Sequence, residues 1–253
     1  MKERFTPKMF MHYIASRKDI NIEDMGVRPI VVLSWWTGVI KSLAEATGAH
    51  LSKNWIYGER HPLYVGDVED SHVCFCSAPV GAPATVMLME ELIACGARFF
   101  FGLGWAGSLQ QKAPTGAFLL PTSCISEEGT SAHYVTPGTR LVPSKRLVII
   151  IQEVCQGRGH SVHLGPIWTT DAPYRELQTK IKSYRKEGVL GVDMETSAMY
   201  ALGQFRKVEV CNLLVVSDEL WHGWRPAFIS AKLREGVRLA TDIIKDCLVK
   251  DLK

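Results

Sequence analysis

The sequence predicts an α/β protein in which one β-sheet is covered by helices on both faces. From residue 29 onward, segments with strand character alternate with segments whose apolar residues have helical spacing. Several of the strand segments are apolar at every position, which is typical of strands buried on both faces. No internal repeat or long Pro/Gly/Ser linker divides the 253 residues, so we expect a single domain.

The N-terminal residues predict a short helix ahead of this domain. Thr6 followed by Pro7 is typical of a helix cap and first helical position, and the amphipathic pattern continues to about Ser16. We assign residues 1–28 to an extension and residues 29–253 to the domain. Strands are expected at residues 29–34, 71–79, 98–104, 117–125, 160–170 and 209–218. Helices are expected at residues 37–47, 84–96, 144–157, 194–205 and 228–250.

Composition and charge argue against several classes of partner. The chain is 47% hydrophobic and 22% charged, and its net charge of +3 is too small to indicate binding to nucleic acid or to a membrane. The N-terminus lacks the apolar core of a signal peptide, and no apolar run is long enough to span a bilayer. The seven cysteines form no C-x-x-C pair, so neither a zinc site nor a disulfide framework is expected. These observations predict a cytoplasmic protein without a bound metal.

The segment GLGWAG, residues 102–107, matches the dinucleotide-binding pattern G-x-G-x-x-G directly after a predicted strand. A true fingerprint opens a helix whose amino end holds the pyrophosphate. After Gly107, however, Pro114 and Gly116 leave no room for a helix before the next predicted strand. We therefore reject the dinucleotide interpretation. The glycines are expected to allow close approach of a small ligand, or to make a tight turn.

Three predicted loops follow strands at the edge of the sheet where α/β proteins carry their chemistry. They contain GWAGS after the strand at 98–104, TTDAPYRE after the strand at 160–168, and SDELWHGWRP after the strand at 209–216. We expect ligand-binding side chains in these three loops.

Two carboxylate positions stand out because they lie in apolar surroundings. Asp193 and Glu195 occur in LGVDMETSAMYALG, where burying a carboxylate is costly unless a polar group meets it. A vicinal diol could supply both donors, but the two residues could equally cap the helix that follows. Asp218 comes after four apolar strand residues, with Arg225 seven positions on. It could be an acid tuned by burial and a cation, a helix cap, or part of a surface ion pair.

Five segments together resemble the purine nucleoside phosphorylase/uridine phosphorylase family, which also contains hydrolytic nucleosidases. They are FGLGWAGSL, EEGTSAHY, TTDAPYRE, VDMETSAMYALG and VVSDEL, in the order that the family has, and the similarity covers residues 29–248. The resemblance implies a single-domain, three-layer α/β/α fold with a central mixed, mostly parallel sheet. It also implies a homo-oligomer, a dimer or a hexamer, and a small-molecule nucleoside as the ligand.

The resemblance also implies roles for individual residues. Glu195 would bind the ribose 2′- and 3′-hydroxyls, Met194 would pack on the sugar, and Asp218 would protonate or hydrogen-bond N7 of a departing purine. Tyr174 would lie against the base or sugar, and Arg225 is a candidate for the catalytic centre. The further substrate-binding candidates are Trp105, Ala106, Gly107, Thr130, His133, Asp193 and Ser217; Thr130 and His133 would line the pocket or approach it across a subunit interface.

The sequence departs from the family pattern at the phosphate site. Trp35 and Trp36 follow the first strand without an arginine, Gly102 occupies the expected arginine position, and Trp105 replaces a small hydroxyl residue. A phosphate dianion needs cations or many N–H donors when it is desolvated. Three outcomes stay open: phosphorolysis, slightly favoured by the resemblance, hydrolysis by a nucleosidase, and nucleoside binding without turnover. No cofactor is expected, and inorganic phosphate is the cosubstrate if the reaction is phosphorolytic.

Overall fold

The computed structural model describes residues 3–250 and contains one ten-stranded sheet within that range. The strands are β1 Ile30–Ser34, β2 His50–Leu51, β3 Leu63–Val68, β4 Ser71–Ser77, β5 Phe99–Ser108, β6 Phe118–Glu127, β7 Val162–Thr170, β8 Gly191–Asp193, β9 Glu209–Glu219 and β10 Arg225–Pro226. The helices are α1 Pro7–Arg17, α2 Thr37–Thr47, α3 Ala82–Ala94, α4 Lys145–Gly157, α5 Gln178–Lys186, α6 Thr196–Arg206 and α7 Ala231–Cys247.

The sheet is mixed, and most of its long pairings are parallel. Its order is β10-β9-β6-β7-β8-β5-β1-β4-β3-β2, with β1 parallel to both β4 and β5. An additional parallel pairing joins β5 to β9, so that five strands close on themselves. This closed part of the sheet brings the carboxyl ends of β5, β8 and β9 to one place.

Helices cover the sheet on both sides, as the sequence predicts. Consecutive residues of β1 alternate between the two faces, with Val32 on the side of α2, α4 and α7, and Leu33 on the side of α1, α3 and α6. This alternation gives each face its own hydrophobic core and confirms the predicted three-layer α/β/α fold with a central mixed, mostly parallel sheet.

The N-terminal segment packs into one of these two cores. Thr6 caps α1 by accepting a hydrogen bond from the Met9 amide at 3.2 Å, as predicted. Met11 and Ala15 of α1 are buried on the side of α3. The extension therefore contributes apolar surface to the body of the protein.

The predicted strands and helices are present, but three strands extend beyond their predicted ends: β5 continues to Ser108, β6 to Glu127 and β9 to Glu219. Residues 105–108 and 217–219, which were expected in loops, therefore belong to strands. No helix opens after Gly107, in agreement with the rejected dinucleotide interpretation. The sequence did not predict the strands β2, β3, β8 and β10 or the helix α5.

Three further features of the described chain bear on function. No helix within residues 3–250 is long and apolar enough to cross a membrane. In the same range, no group of three or more His, Cys, Asp and Glu side chains could hold a metal ion. All seven cysteines are free thiols.

Candidate active site

A cavity of about 770 Å³ lies at the carboxyl ends of β1, β5, β8 and β9. Chain segments from all of the predicted ligand-binding loops meet there. The structure brings nine of the twelve candidate site residues to this cavity: Trp105, Ala106, Gly107, Tyr174, Asp193, Met194, Glu195, Ser217 and Asp218. Tyr174 is fully exposed and forms part of the rim.

The other three candidates, Thr130, His133 and Arg225, do not line the cavity in the described chain. Thr130 donates its amide to Glu128, and His133 is exposed at the end of a short 3-10 turn. Arg225 is exposed and stacks over the ring of Trp221 at 5.5 Å. It pairs with Glu219 across β10 and β9, whereas Asp218 pairs with Pro226. Because successive residues of a strand face opposite sides, this register turns Arg225 away from Asp218.

Asp193 is committed to internal hydrogen bonds although it lines the cavity. It accepts from the Thr169 hydroxyl at 2.7 Å, from the Thr196 amide at 3.0 Å, and from the Thr196 hydroxyl. It thereby satisfies the amino end of α6, the capping role that the sequence left open for it. Asp193 fixes the turn between β8 and α6 and so positions the two residues that follow it.

Glu195, by contrast, makes no capping hydrogen bond to α6. One of its oxygens, Oε1, accepts from the Gly81 amide at 2.7 Å, and the side chain is 7% exposed. Burial first, and then the charge of Asp193, raise the pKa of Glu195. Its remaining acceptor capacity faces the cavity, and donors from a ligand would stabilise its ionised form.

Asp218 lies at the end of β9 and is 8% exposed. The Ser217 hydroxyl donates to Oδ1 at 2.7 Å, and the Trp224 indole N–H donates to Oδ2 at 3.1 Å. The backbone of Gly107 passes directly beneath this carboxyl group, because a Cβ at residue 107 would lie 3.3 Å from Oδ2. Asp218 is therefore held by donors on both oxygens at one side of the cavity.

Glu176, which was not among the residues predicted for the site, also lines the cavity. It follows the 3-10 turn Pro173–Arg175 and is partly buried. Burial, and then the negative charge of Asp218, raise the pKa of Glu176 to about 7. Its position as the last residue of TTDAPYRE was the available signal, since that segment was expected to reach the ligand.

Aromatic side chains form one wall of the cavity. Trp36 packs edge-to-face on Trp105, whose ring centre lies 6.0 Å from that of Phe228. Trp35 is anchored by a 3.0 Å hydrogen bond from its indole N–H to the Thr85 hydroxyl. The same four rings border a second cavity of about 680 Å³ between α2 and α7. Apolar rings thus occupy the region where the sequence departs from the phosphate-binding pattern.

The glycines of GLGWAG do not form the tight turn that was one of the two expectations for them. They lie in the extended strand β5, where they make room for side chains from neighbouring segments rather than forming a turn. A Cβ at residue 104 would lie 2.8 Å from the ring of Trp35, and one at residue 107 would lie 2.8 Å from Leu220. At Gly102 the space above the strand is filled by the amide group of Asn212.

We expect Gly102→Ala to destabilise the fold by about 2 kcal/mol. A Cβ at this position would overlap Oδ1 of Asn212. The Asn212 side chain is buried, and its amide nitrogen donates a 2.8 Å hydrogen bond to the Thr196 hydroxyl. The effect is measured by urea unfolding. Gly157→Ala in α4 is the control, because an added Cβ there meets nothing within 4 Å. Equal stability of the two variants would show that Asn212 does not constrain residue 102.

The charge of the cavity is one-sided. Four carboxyl groups line it, those of Glu176, Asp193, Glu195 and Asp218, whereas none of its lining residues within 3–250 is Lys, Arg or His. An anion entering this space would lose hydration without meeting a cation of the described chain. The arrangement suits a neutral ligand with hydroxyl donors and a flat ring.

Comparison with known protein families and sequences places these features in context. The model of the phosphorylase superfamily matches residues 29–248. A guanosine phosphorylase of Halorubrum lacusprofundi is 22% identical over 210 residues, which cover 83% of this chain and 86% of that protein.

Solved structures share the fold over nearly the whole chain. A uridine phosphorylase from Vibrio fischeri has a TM-score of 0.79 at 22% identity, and the match covers 90% of this chain and 95% of that one. An AMP nucleosidase from Bacteroides thetaiotaomicron has a TM-score of 0.74 at 21% identity, with 95% and 97% covered. The fold is thus common to proteins named for phosphorolysis and for hydrolysis.

Proposed function

This chain belongs to the phosphorylase superfamily, an enzyme family of nucleoside phosphorylases and nucleosidases, and on that premise we propose that it cleaves the N-glycosidic bond of a purine nucleoside. The observation that carries the proposal is that Glu195, Met194 and Asp218 line the same cavity. A nucleoside has a diol at one end and a base with ring nitrogens at the other, and these residues offer partners for both ends.

The sugar would be held by Glu195. Its Oε1 is fixed by the Gly81 amide, and its remaining lone pairs can accept hydrogen bonds from the 2′- and 3′-hydroxyls. Met194 follows Asp193 into the cavity and offers an apolar surface for the sugar ring. The internal hydrogen bonds of Asp193 support this arrangement because they fix the turn that carries both residues.

The base would lie towards Asp218, with aromatic side chains beside it. Breaking the glycosidic bond leaves positive charge on the sugar and negative charge on the base, so polar groups that meet the base lower the barrier. The uridine branch of the family lacks an acid at this position, so Asp218 favours a purine. Trp105 and Phe228 supply flat apolar surface of the kind that binds a purine ring.

Water is the acceptor that the geometry supports best. The rings of Trp35, Trp36 and Trp105 occupy the region expected to hold phosphate, and no cation of residues 3–250 lines the cavity. Phosphorolysis is the second candidate, supported by the name of the Halorubrum relative and by the resemblance at the sequence level. In that case cations from outside the lining of this cavity would be needed, from Arg234 and Arg238 of the adjoining cavity or from a neighbouring subunit of the predicted homo-oligomer.

Dependence on phosphate tests the proposal. We expect guanosine and inosine to release free base at the same rate, within about twofold, with and without phosphate, because no described group in the cavity compensates a phosphate dianion. Chromatography of the base, with enzymatic detection of ribose and ribose 1-phosphate, measures both products. Release that requires phosphate would establish phosphorolysis instead. If no base is released with water or with phosphate, the proposed enzymatic activity is refuted. Thermal stabilisation by nucleosides would then identify a nucleoside-binding protein.

A further inference from the structure

We propose that Asn212 is a positioning residue for the sugar site, because it holds the turn that carries Glu195 through the hydroxyl group of Thr196. The inference rests on the proposed function, in which Glu195 binds the ribose hydroxyls. It adds a buried residue that does not itself line the cavity.

The side chain of Asn212 begins a chain of buried hydrogen bonds that ends at the sugar-binding turn. Asn212 lies in β9 and is fully buried, and its amide nitrogen donates to the Thr196 hydroxyl at 2.8 Å. Thr196 is the first residue of α6, and its hydroxyl donates in turn to the Asp193 carboxylate. Glu195 lies between Asp193 and Thr196 in sequence, so both residues that flank it belong to this chain of hydrogen bonds.

The chemistry of the three side chains gives these hydrogen bonds one direction. An ionised carboxylate can only accept, and a hydroxyl group has a single proton to donate. Because Thr196 donates its proton to Asp193, its oxygen must accept from Asn212, and this requirement orients the amide nitrogen of Asn212 towards α6. The same nitrogen also lies 3.3 Å from the sulfur of Met199 in α6. Hydrogen bonds that run in one direction strengthen each other in a buried environment.

The carbonyl oxygen of the same side chain provides an independent observation. Oδ1 of Asn212 is buried, has no hydrogen-bond partner within residues 3–250, and lies against Gly102 of β5. A buried carbonyl oxygen without a donor is unfavourable, because it has lost its hydrogen bonds to water. Leucine has a similar shape and would fill the space between β5 and α6 without this cost. The hydrogen bond that Asn212 donates, and not its packing, therefore explains an asparagine at this position.

The position of Asn212 in β9 links the two parts of the proposed site. The same strand carries Asp218 near its end, six residues after Asn212. The hydrogen bond between Asn212 and Thr196 therefore connects the strand that presents Asp218 to the turn that presents Glu195. Hydrogen bonds weaken steeply when their geometry is lost, so a small shift of this turn would weaken the contacts of Glu195 with both ribose hydroxyls.

The test compares Asn212→Leu with the wild type on guanosine and on 2′-deoxyguanosine. We expect kcat/KM to fall about tenfold for guanosine and about threefold for 2′-deoxyguanosine, mostly through KM, because the variant loosens a binding group for the sugar. The preference for the ribonucleoside therefore decreases about threefold. Val210→Ala is the matched control, since Val210 is buried on the same face of β9 and packs against α6 at Gly203. It should lower stability and leave the preference within about 1.5-fold of the wild type.

A double variant separates positioning from a purely structural role. If Asn212 acts through Glu195, adding Asn212→Leu to Glu195→Ala should not change the preference between the two sugars any further. A residue needed only for folding would instead lower activity on both nucleosides equally, with or without Glu195. An equal loss on both sugars, or a further decrease of the preference in the double variant, would overturn the inference.

Substitutions of Thr196 test the same hydrogen bonds without changing β9. Thr196→Ser keeps the hydroxyl group and should retain the preference of the wild type within about twofold. Thr196→Val keeps the shape but removes the hydroxyl, and its preference should decrease about as much as that of Asn212→Leu. Equal behaviour of the serine and valine variants would overturn the inference and leave the proposed function intact. Absence of cleavage by the wild type would overturn both.

Discussion

Asp218→Asn is expected to lower kcat for guanosine about 10³-fold while changing KM less than about fivefold. The substitution keeps the shape of the side chain. The asparagine carbonyl can still accept from the Trp224 indole, and the serine hydroxyl at 217 can accept from the new amide. What is lost is the carboxyl group that would protonate or hydrogen-bond the departing base. That interaction strengthens as the bond to the base breaks, so its loss falls mainly on the chemical step.

The same variant should shift the pH dependence in a defined direction. The charge of Asp218 contributes to the raised pKa of Glu176, so removing the charge lowers that pKa. The pH at which the Glu176 carboxyl group loses its proton, measured by NMR titration, should therefore fall below the value of about 7 expected for the wild type. Asp246→Asn, which alters only a surface ion pair between Asp246 and Arg158, is the matched control. Turnover of Asp218→Asn within about threefold of the wild type would remove Asp218 from the mechanism.

The fold was predictable where strand and helix signals are local. The apolar runs of β1, β5 and β9 are buried on both faces, and Ser144 and Ser230 cap α4 and α7. The missed elements lack such signals. Helix α5 has no buried residue, and β8 is only three residues long, so both depend on tertiary contacts. The extension of β5 through residues 105–108 comes from pairing with β9, which a single segment cannot reveal.

The site was predictable where a carboxylate interrupts an apolar segment. Glu195 and Asp218 have that pattern, and both lie in the cavity. Glu176 lies in a polar segment, so its partial burial depends on packing against segments that are distant in sequence. Arg225 was selected because it is close to Asp218 in sequence, but the strand register opposite Glu219 turns it away. Two residues that are close in sequence can therefore have their side chains on opposite faces of a hairpin.

Glu195→Ala should reveal how the sugar is recognised. The Glu195 carboxylate can accept from both ribose hydroxyls, and each hydrogen bond to a charged group is worth about 1.5–3 kcal/mol. We expect kcat/KM to fall about 10²-fold for guanosine and only about tenfold for 2′-deoxyguanosine, which has one of the two hydroxyls. The preference for the ribonucleoside therefore decreases about tenfold, measured as the ratio of the two kcat/KM values.

The folding stability of the same variant separates recognition from structural damage. Burial and the neighbouring Asp193 raise the pKa of Glu195, so the ionised carboxylate is costly in the empty protein. Its replacement removes this cost and leaves the Gly81 amide without its acceptor, so the free energy of unfolding should change less than about 1 kcal/mol. Glu195→Gln retains an acceptor for Gly81 and should have intermediate activity. An equal loss on both sugars, at unchanged stability, would contradict the diol role. A residue that is costly to bury and yet carries discrimination between the sugars is retained for binding and not for folding.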